Sequence, residues 1–329
     1  MENDANRDTS WIDEVIRAEG LSVSRPAPRR YATPQPTARS KRVAFYMLIA
    51  TIVSMFWVGM NAGGGPIPPS FFFQLSQAEQ IQLALNGLTY AGALLLILGF
   101  HEMGHYLQAK RYGVPASFPF FIPMPISPFG TMGAVIIQGE HAGNRKTLFD
   151  IAVTGPLAGL VVALPLLYWG LAETTSKALP PNHTGIIYGD PLILEWMYES
   201  IHGPIPAGEQ ILLNPLLFAT WVGVFITSLN LIPVGQLDGG HILYALLRKK
   251  AYPVALGCLG LAIVYMIYKQ NHTYALLVFL LSLMGPFHPE TGDDNAPLGW
   301  PRILLGWATL SFIFLGFTPD PIVIPSQTG

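Results

Sequence analysis

Long apolar stretches decide what this chain can become. A helix needs about twenty consecutive, mostly apolar residues to cross the hydrocarbon of a bilayer. The sequence offers six stretches at or near that length, roughly 43–62, 83–107, 147–171, 211–233, 253–268 and 302–318, with 273–287 a shorter seventh. Composition agrees, since 51% of the residues are apolar and only 12% are charged. A soluble protein of this size needs charge to cover its surface, whereas an unpaired charge in hydrocarbon costs several kcal/mol. The expected fold is an all-α polytopic membrane protein with six or seven transmembrane helices lying in a lipid bilayer.

The same counts exclude other classes. Lys and Arg fall in short clusters beside apolar segments and form no stripe interleaved with aromatics, so no nucleic-acid partner is expected. A single cysteine, Cys258, sits in an apolar run and reads as a packing residue, which rules out a disulfide framework or a cysteine metal cage. The basic clusters instead set the orientation. Arg39, Lys41 and Arg42 precede the first span, Lys110 and Arg111 follow the second, Arg145 and Lys146 precede the third, and Arg248, Lys249 and Lys250 follow the fourth. All fall on one side if the spans alternate, while the opposite loops, 63–82 and 172–210, are nearly free of them apart from Lys177. That asymmetry puts the N-terminus in the cytosol.

Residues 1–41 are rich in Pro, Arg, Ser and Thr without a sustained apolar period, and read as a mostly disordered cytosolic tail. One short helix is allowed there, from the capping-box spacing of Ser10 and Asp13 and a face of Trp11, Ile12, Val15 and Ile16. The acidic, polar start resembles neither a cleaved secretory signal nor an Arg-rich transit peptide. Residues 42–250 form the expected transmembrane core and 251–329 the C-terminal helices and tail. Within the core, 114–138 is apolar yet carries Pro115, Pro119, Pro123, Pro125 and Pro128, which no regular helix absorbs. Non-helical backbone at membrane depth is tolerated only against protein or a water-filled cavity, so a re-entrant β-hairpin is expected. Gly130, Gly133, Val135, Ile136 and Ile137 suit its closing strand. A cytosolic loop lying on the interface is the alternative.

Chemistry concentrates in two places. The first, His101-Glu102-Met103-Gly104-His105, ends the second apolar stretch. Positions i and i+4 return to nearly the same helical face, so both imidazoles can reach one metal ion. Glu102 can take a proton from the water that such an ion activates without being a ligand itself. A catalytic zinc usually takes three protein ligands. The second motif, Asn230-Leu-Ile-Pro-Val-Gly-Gln-Leu-Asp-Gly-Gly-His241, offers the third. Pro233 and Gly235 unwind the span, Gly239 and Gly240 permit close backbone approach, and Asp238 supplies a carboxylate. Glu140 and His141 are an alternative source of a ligand. His241 can line the site or bond to a ligand, with a packing role equally open, and His183, His202, His272 and His288 read as solvated residues of loops and span ends.

These motifs resemble the site-2 protease family of intramembrane zinc metalloproteases, which join a His-Glu-x-x-His on one transmembrane helix to an Asn-x-x-Pro…Leu-Asp-Gly-Gly on a later one. The resemblance covers residues 83–250 and takes in Gly155-Pro-Leu-Ala-Gly159, similar to the family's small-residue packing motif, and Gly130-Thr-Met-Gly133 of the hairpin. The second motif most resembles the branch found in cyanobacteria, other bacteria and plastids. What it implies is a site-2 protease-like core with one zinc held by His101, His105 and Asp238. It further implies Glu102 as catalytic base and Asn230 as the group that orients the substrate carbonyl or stabilises the oxyanion. The implied activity is hydrolysis of transmembrane protein substrates, in a bacterial inner membrane. There is no room for a PDZ domain between the third and fourth spans, and no CBS pair is expected after the core. Three rival readings exist. A catalytically silent scaffold that binds transmembrane partners has no use for Glu102; a protease of the prenyl-protein type needs a glutamate in a later span; a transporter needs paired broken helices in repeated halves.

Overall fold

The computed structural model describes residues 38–61, 67–137, 143–178, 185–270 and 273–323. The short helix expected near Ser10, and the candidates Glu140, His141, His183 and His272, lie outside the described residues.

Three long helices match the first three expected spans: α1 (Ala38–Gly59), α3 (Gln77–Arg111) and α4 (Arg145–Ala172), with a short α2 (Pro69–Phe72) between the first two. Helix α3 starts early because Ser76 and Glu79 form a capping box, the Ser76 N–H donating to the Glu79 carboxylate at 2.9 Å. It ends late, with Lys110 and Arg111 at the negative end of its dipole. The histidine motif therefore lies inside the helix rather than at its end.

The fourth expected span, 211–233, is only the 16-residue α6 (Pro215–Asn230). Asn214 accepts from the Leu217 N–H at 2.8 Å and Pro215 fixes the first helical residue, so the helix begins sharply. At about 1.5 Å per residue it is shorter than the hydrocarbon layer. It can nonetheless sit at membrane depth, because Leu217–Phe225 are buried among other helices. The chain then turns into α7 (Asp238–Leu247), which stops at Arg248 with φ +57°, and after one 3-10 turn continues as α8 (Ala251–Lys269). Among the described residues four stretches are long and apolar enough to cross a membrane: Arg39–Gly59, Gln77–Arg111, Arg145–Ala172 and Asp238–Lys269. The remaining candidates form the shorter helices α9 (Ala275–Met284), α10 (Trp300–Ser311) and α11 (Ile313–Gly316).

Residues 114–138 do contain a hairpin. Strand β1 (Phe120–Met124) pairs antiparallel with β2 (Gly130–Val135), Phe120 opposite Val135 and Met124 opposite Gly130. The register slips between Phe121 and Pro123, beside a residue with no N–H to give the ladder. Its turn is clamped to two helices: Ser54 on α1 donates to the Gly130 carbonyl at 2.6 Å and Tyr90 on α3 to the Phe129 carbonyl at 2.8 Å. Gly130 has φ +75°, and a Cβ there would run into the backbone of Met55. The far end of α4 leads into a small cap, in which β3 (Ser176–Ala178) pairs with β5 (Glu209–Ile211), and β4 (Ile187–Tyr188) with β6 (Ile322–Val323), around α5 (Leu192–His202).

Helices α3, α4 and α6 form the centre, with Tyr90, Leu94, Ile97, Leu167, Phe218 and Trp221 buried between them. Small residues let the backbones close up: Gly104 on α3 faces the Thr154 carbonyl, and the Thr154 hydroxyl donates back to the Gly104 carbonyl at 3.1 Å. Polar ties then hold the later helices to this centre. Arg302 on α10 grips Asp150 on α4 through two bonds of 2.7 and 2.9 Å, and the Tyr112 hydroxyl donates to the same carboxylate. Arg145 donates to the Ala245 and Leu246 carbonyls that end α7. Arg302→Gln removes the paired guanidinium donors from Asp150 in a largely buried setting, and should cost about 2 kcal/mol, less than the roughly 3–5 of a fully buried pair. Lys249→Gln breaks only an exposed pair with Glu290 and should leave thermal unfolding near wild type. Melting of the two variants side by side in detergent measures the difference.

Candidate metal centre

Helix periodicity puts His101 and His105 one turn apart on α3, and the turn after α6 brings Asp238 against them from a second helix. His101 Nε2 is 3.1 Å from Asp238 Oδ2, His105 Nε2 is 3.2 Å from Asp238 Oδ1, and the two Nε2 atoms are 3.2 Å apart. One ligand atom from each residue lies within 4.8 Å of the others, the one such group among the described residues. His101, Glu102 and His105 are at most 4% exposed, in a helix that is otherwise suited to lipid. Burying three ionisable side chains together is costly unless they serve one another or an ion.

The hydrogen bond on the far side of the His105 ring bears on what its near side can do. His105 Nδ1 lies 2.8 Å from the Ile151 carbonyl of α4. A carbonyl can only accept, so Nδ1 carries a proton, and in the neutral ring Nε2 would be left with its lone pair for an ion lying between it, His101 and Asp238. Two ring nitrogens and a carboxylate oxygen converging in this way form a donor set that suits zinc. The residues present fit the ion.

Glycine makes room for the rings. A Cβ on Gly155 would fall within the His105 imidazole, and one on Gly159 would stand 3.2 Å from His101 Cβ. The small-residue motif on α4 is thus a seat for the two histidines as well as a helix contact. Gly239 and Gly240 do the same for Asp238: a Cβ on either would run into the carbonyls of Leu231 or Gly235, so only glycine lets the turn fold back over the start of α7. Asp238 itself sits in the first turn of that helix, where the dipole favours a negative charge.

Of the other expected site residues, Glu102 is buried beside the cluster and interacts electrostatically with His101, His105 and Asp238. Asn230 closes α6, half-buried, and is not one of the three clustered residues. His288 corrects the expectation of a solvated histidine. It is 8% exposed and its Nε2 lies 2.6 Å from His241 Nδ1. His202 remains exposed, as expected, with its Nε2 lying 2.8 Å from the Leu171 carbonyl. Nothing periodic in the sequence announces these contacts.

Comparison with known proteins follows the same stretch of chain. The model for peptidase family M50, the family of the site-2 proteases, matches residues 89–267. A probable chloroplastic zinc metalloprotease, EGY2 of Oryza sativa subsp. indica, is 29% identical over 259 residues, which cover 77% of this chain and 46% of that protein. EGY2 of Arabidopsis thaliana is 29% identical over 228 residues, 68% of this chain and 40% of the relative. EGY1 of the same plant is 27% identical over 242 residues, 68% and 43%. The chain thus spans less than half the length of these curated relatives. No solved structure matches it. Since the family model covers more than half of the chain and contains both the histidine helix and the Asp238 turn, this protein belongs to peptidase family M50.

Proposed function

We propose that this protein is an intramembrane zinc metalloprotease that hydrolyses peptide bonds of transmembrane proteins, with one zinc held by His101, His105 and Asp238. The observation that carries the reading is the convergence of two α3 imidazoles and one α7 carboxylate inside a helix long and apolar enough to cross a membrane. Zinc in that seat supplies Lewis acidity, polarising the scissile carbonyl and making water a stronger acid. Glu102 accepts the proton from the attacking water and passes it to the leaving amine. Its burial keeps it close to the reacting atoms and out of exchange with bulk solvent. Asn230 offers two amide protons to the oxygen that gains charge in the transition state.

A transmembrane substrate must also unwind, because its own helical hydrogen bonds shield each peptide group. The hairpin supports an answer. It is read as re-entrant, clamped to α1 and α3 at its turn, and its strands pair only with each other among the described residues. In this reading an outer strand edge, paired with no other strand among the described residues, receives an extended substrate segment by β-addition. Residues 42–250 are the catalytic core in this reading, and 251–329 brace it. The basic clusters support an N-terminus on the cytosolic side of the membrane, which in this reading is a bacterial inner membrane. The plant relatives are named chloroplastic, so the charges speak for sidedness rather than organelle.

Metal analysis of the purified protein should give one zinc per chain, and cleavage of a single-span substrate in detergent should vanish with a chelator and return with zinc. Cleavage that survives complete removal of the metal would contradict the proposal. Bound zinc without cleavage of any transmembrane substrate would favour the silent scaffold.

A further inference from the structure

A histidine pair, His288 buried and His241 half-buried, stands beside the metal cluster and has no part in the scheme above. His241 is three residues after Asp238 on α7, on the same helical face. Its Nδ1 lies 2.6 Å from Nε2 of His288, which follows α9 in the segment Gly285-Pro-Phe-His288. That segment is fastened along α7. The His288 ring stacks on Tyr244 with centroids 4.6 Å apart, and the Tyr252 hydroxyl donates to the His288 carbonyl at 3.0 Å. Two residues earlier, the Pro286 carbonyl accepts from the Gly235 N–H at 3.0 Å, inside the turn that leads from Asn230 to Asp238.

The proton positions in the pair follow from its ends. His288 Nδ1 faces the Pro289 carbonyl, which can only accept, so this nitrogen carries the proton. Nε2 of the neutral His288 is then an acceptor, and His241 Nδ1 must donate to it. A backbone carbonyl outside α7 thereby fixes the tautomer of a ring inside its first turn. That turn lacks a local anchor: the residue before it is Leu237, which offers no side-chain oxygen to the free N–H groups. No side chain at Gly235, Gly239 or Gly240 can supply such an anchor either.

We propose that His241 and His288 act as positioning residues for the metal site, tethering the uncapped first turn of α7 to the segment after α9 and so holding the Asp238 carboxylate toward His101 and His105. The proposal rests on the reading of Asp238 as a zinc ligand. Two substitutions at His288 separate positioning from mere packing. Glutamine can accept from His241 with its carbonyl and donate to Pro289 with its amide, whereas leucine fills similar space and does neither. Zinc affinity of the full-length protein, from competition with a chromophoric chelator, should fall by roughly 10–100-fold in His288→Leu and stay near wild type in His288→Gln. The visible spectrum of the cobalt(II)-loaded protein should change in the leucine variant alone. Equal affinities in the two variants would overturn the proposal. Should His288→Leu not fold, His241→Asn, which keeps a donor toward His288, and His241→Leu, which does not, are compared by the same criterion. A wild-type protein that binds no zinc would instead overturn the reading of Asp238 on which the proposal stands.

Discussion

Glu102→Gln should keep its zinc and lose proteolysis by about 10²–10⁴-fold, the range that general acid–base catalysis supplies. The substitution keeps the shape of the side chain and leaves His101, His105 and Asp238 untouched, so the ion has no reason to leave. What the amide cannot do is accept a proton from water. Glu102 is 4% exposed, so no solvent carboxylate can take over its task at the same place. The measurement is kcat for a single-span substrate, with zinc content determined on the same preparation. Proteolysis at the wild-type rate would remove Glu102 from the mechanism; loss of zinc would make it a ligand.

The second large effect is expected from a residue with no functional group. Gly155→Ala places a methyl group within the His105 ring, nearest to Nε2, the atom that faces Asp238 and His101. The ring cannot swing aside freely, because its other nitrogen is held by the Ile151 carbonyl at 2.8 Å. Either that hydrogen bond breaks or α4 retreats from α3. In both cases zinc content should drop to the level of His105→Ala or Asp238→Asn, with cleavage lost alongside. Gly92 supplies the control, since a Cβ there meets nothing within 4 Å and Gly92→Ala should bind one zinc per chain. Full zinc occupancy in Gly155→Ala would show that the seat yields more than this packing implies.

Features that repeat at short range were legible in the sequence. The i, i+4 spacing of His101 and His105 places both rings on one face whatever surrounds them, and the long apolar runs mark α1, α3 and α4 within a few residues. Five prolines located the hairpin, though the strands themselves occupy only Phe120–Met124 and Gly130–Val135 of the 114–138 segment. Asp238 was found through the helix breakers around it. The departures have two sources, one local and one long-range. Helix α6 is shorter than the apolar run 211–233 because Asn214-Pro215 starts a helix inside that run. The burial of His288 is invisible to local patterning because its partner His241 is 47 residues away in sequence, and Asp150 and Arg302 are 152 apart. Arg145 entered the orientation argument as a marker of sidedness, yet in the fold it also closes the C-terminal end of α7. Long-range pairs of this kind leave no period for a pattern to detect.

The bond between Arg302 and Asp150 bears on how little of the chain could be cut away. Asp150 adjoins Ile151, whose carbonyl sets the tautomer of His105, so the guanidinium on α10 steadies the backbone that aims this imidazole. A fragment ending at residue 267, where the match to the family model stops, would retain every proposed zinc-binding side chain and still lack that brace. The smallest autonomous unit is therefore longer than the portion by which kinship is recognised, and expression trials of shortened forms should extend beyond α10 before a missing metal is blamed on the ligands.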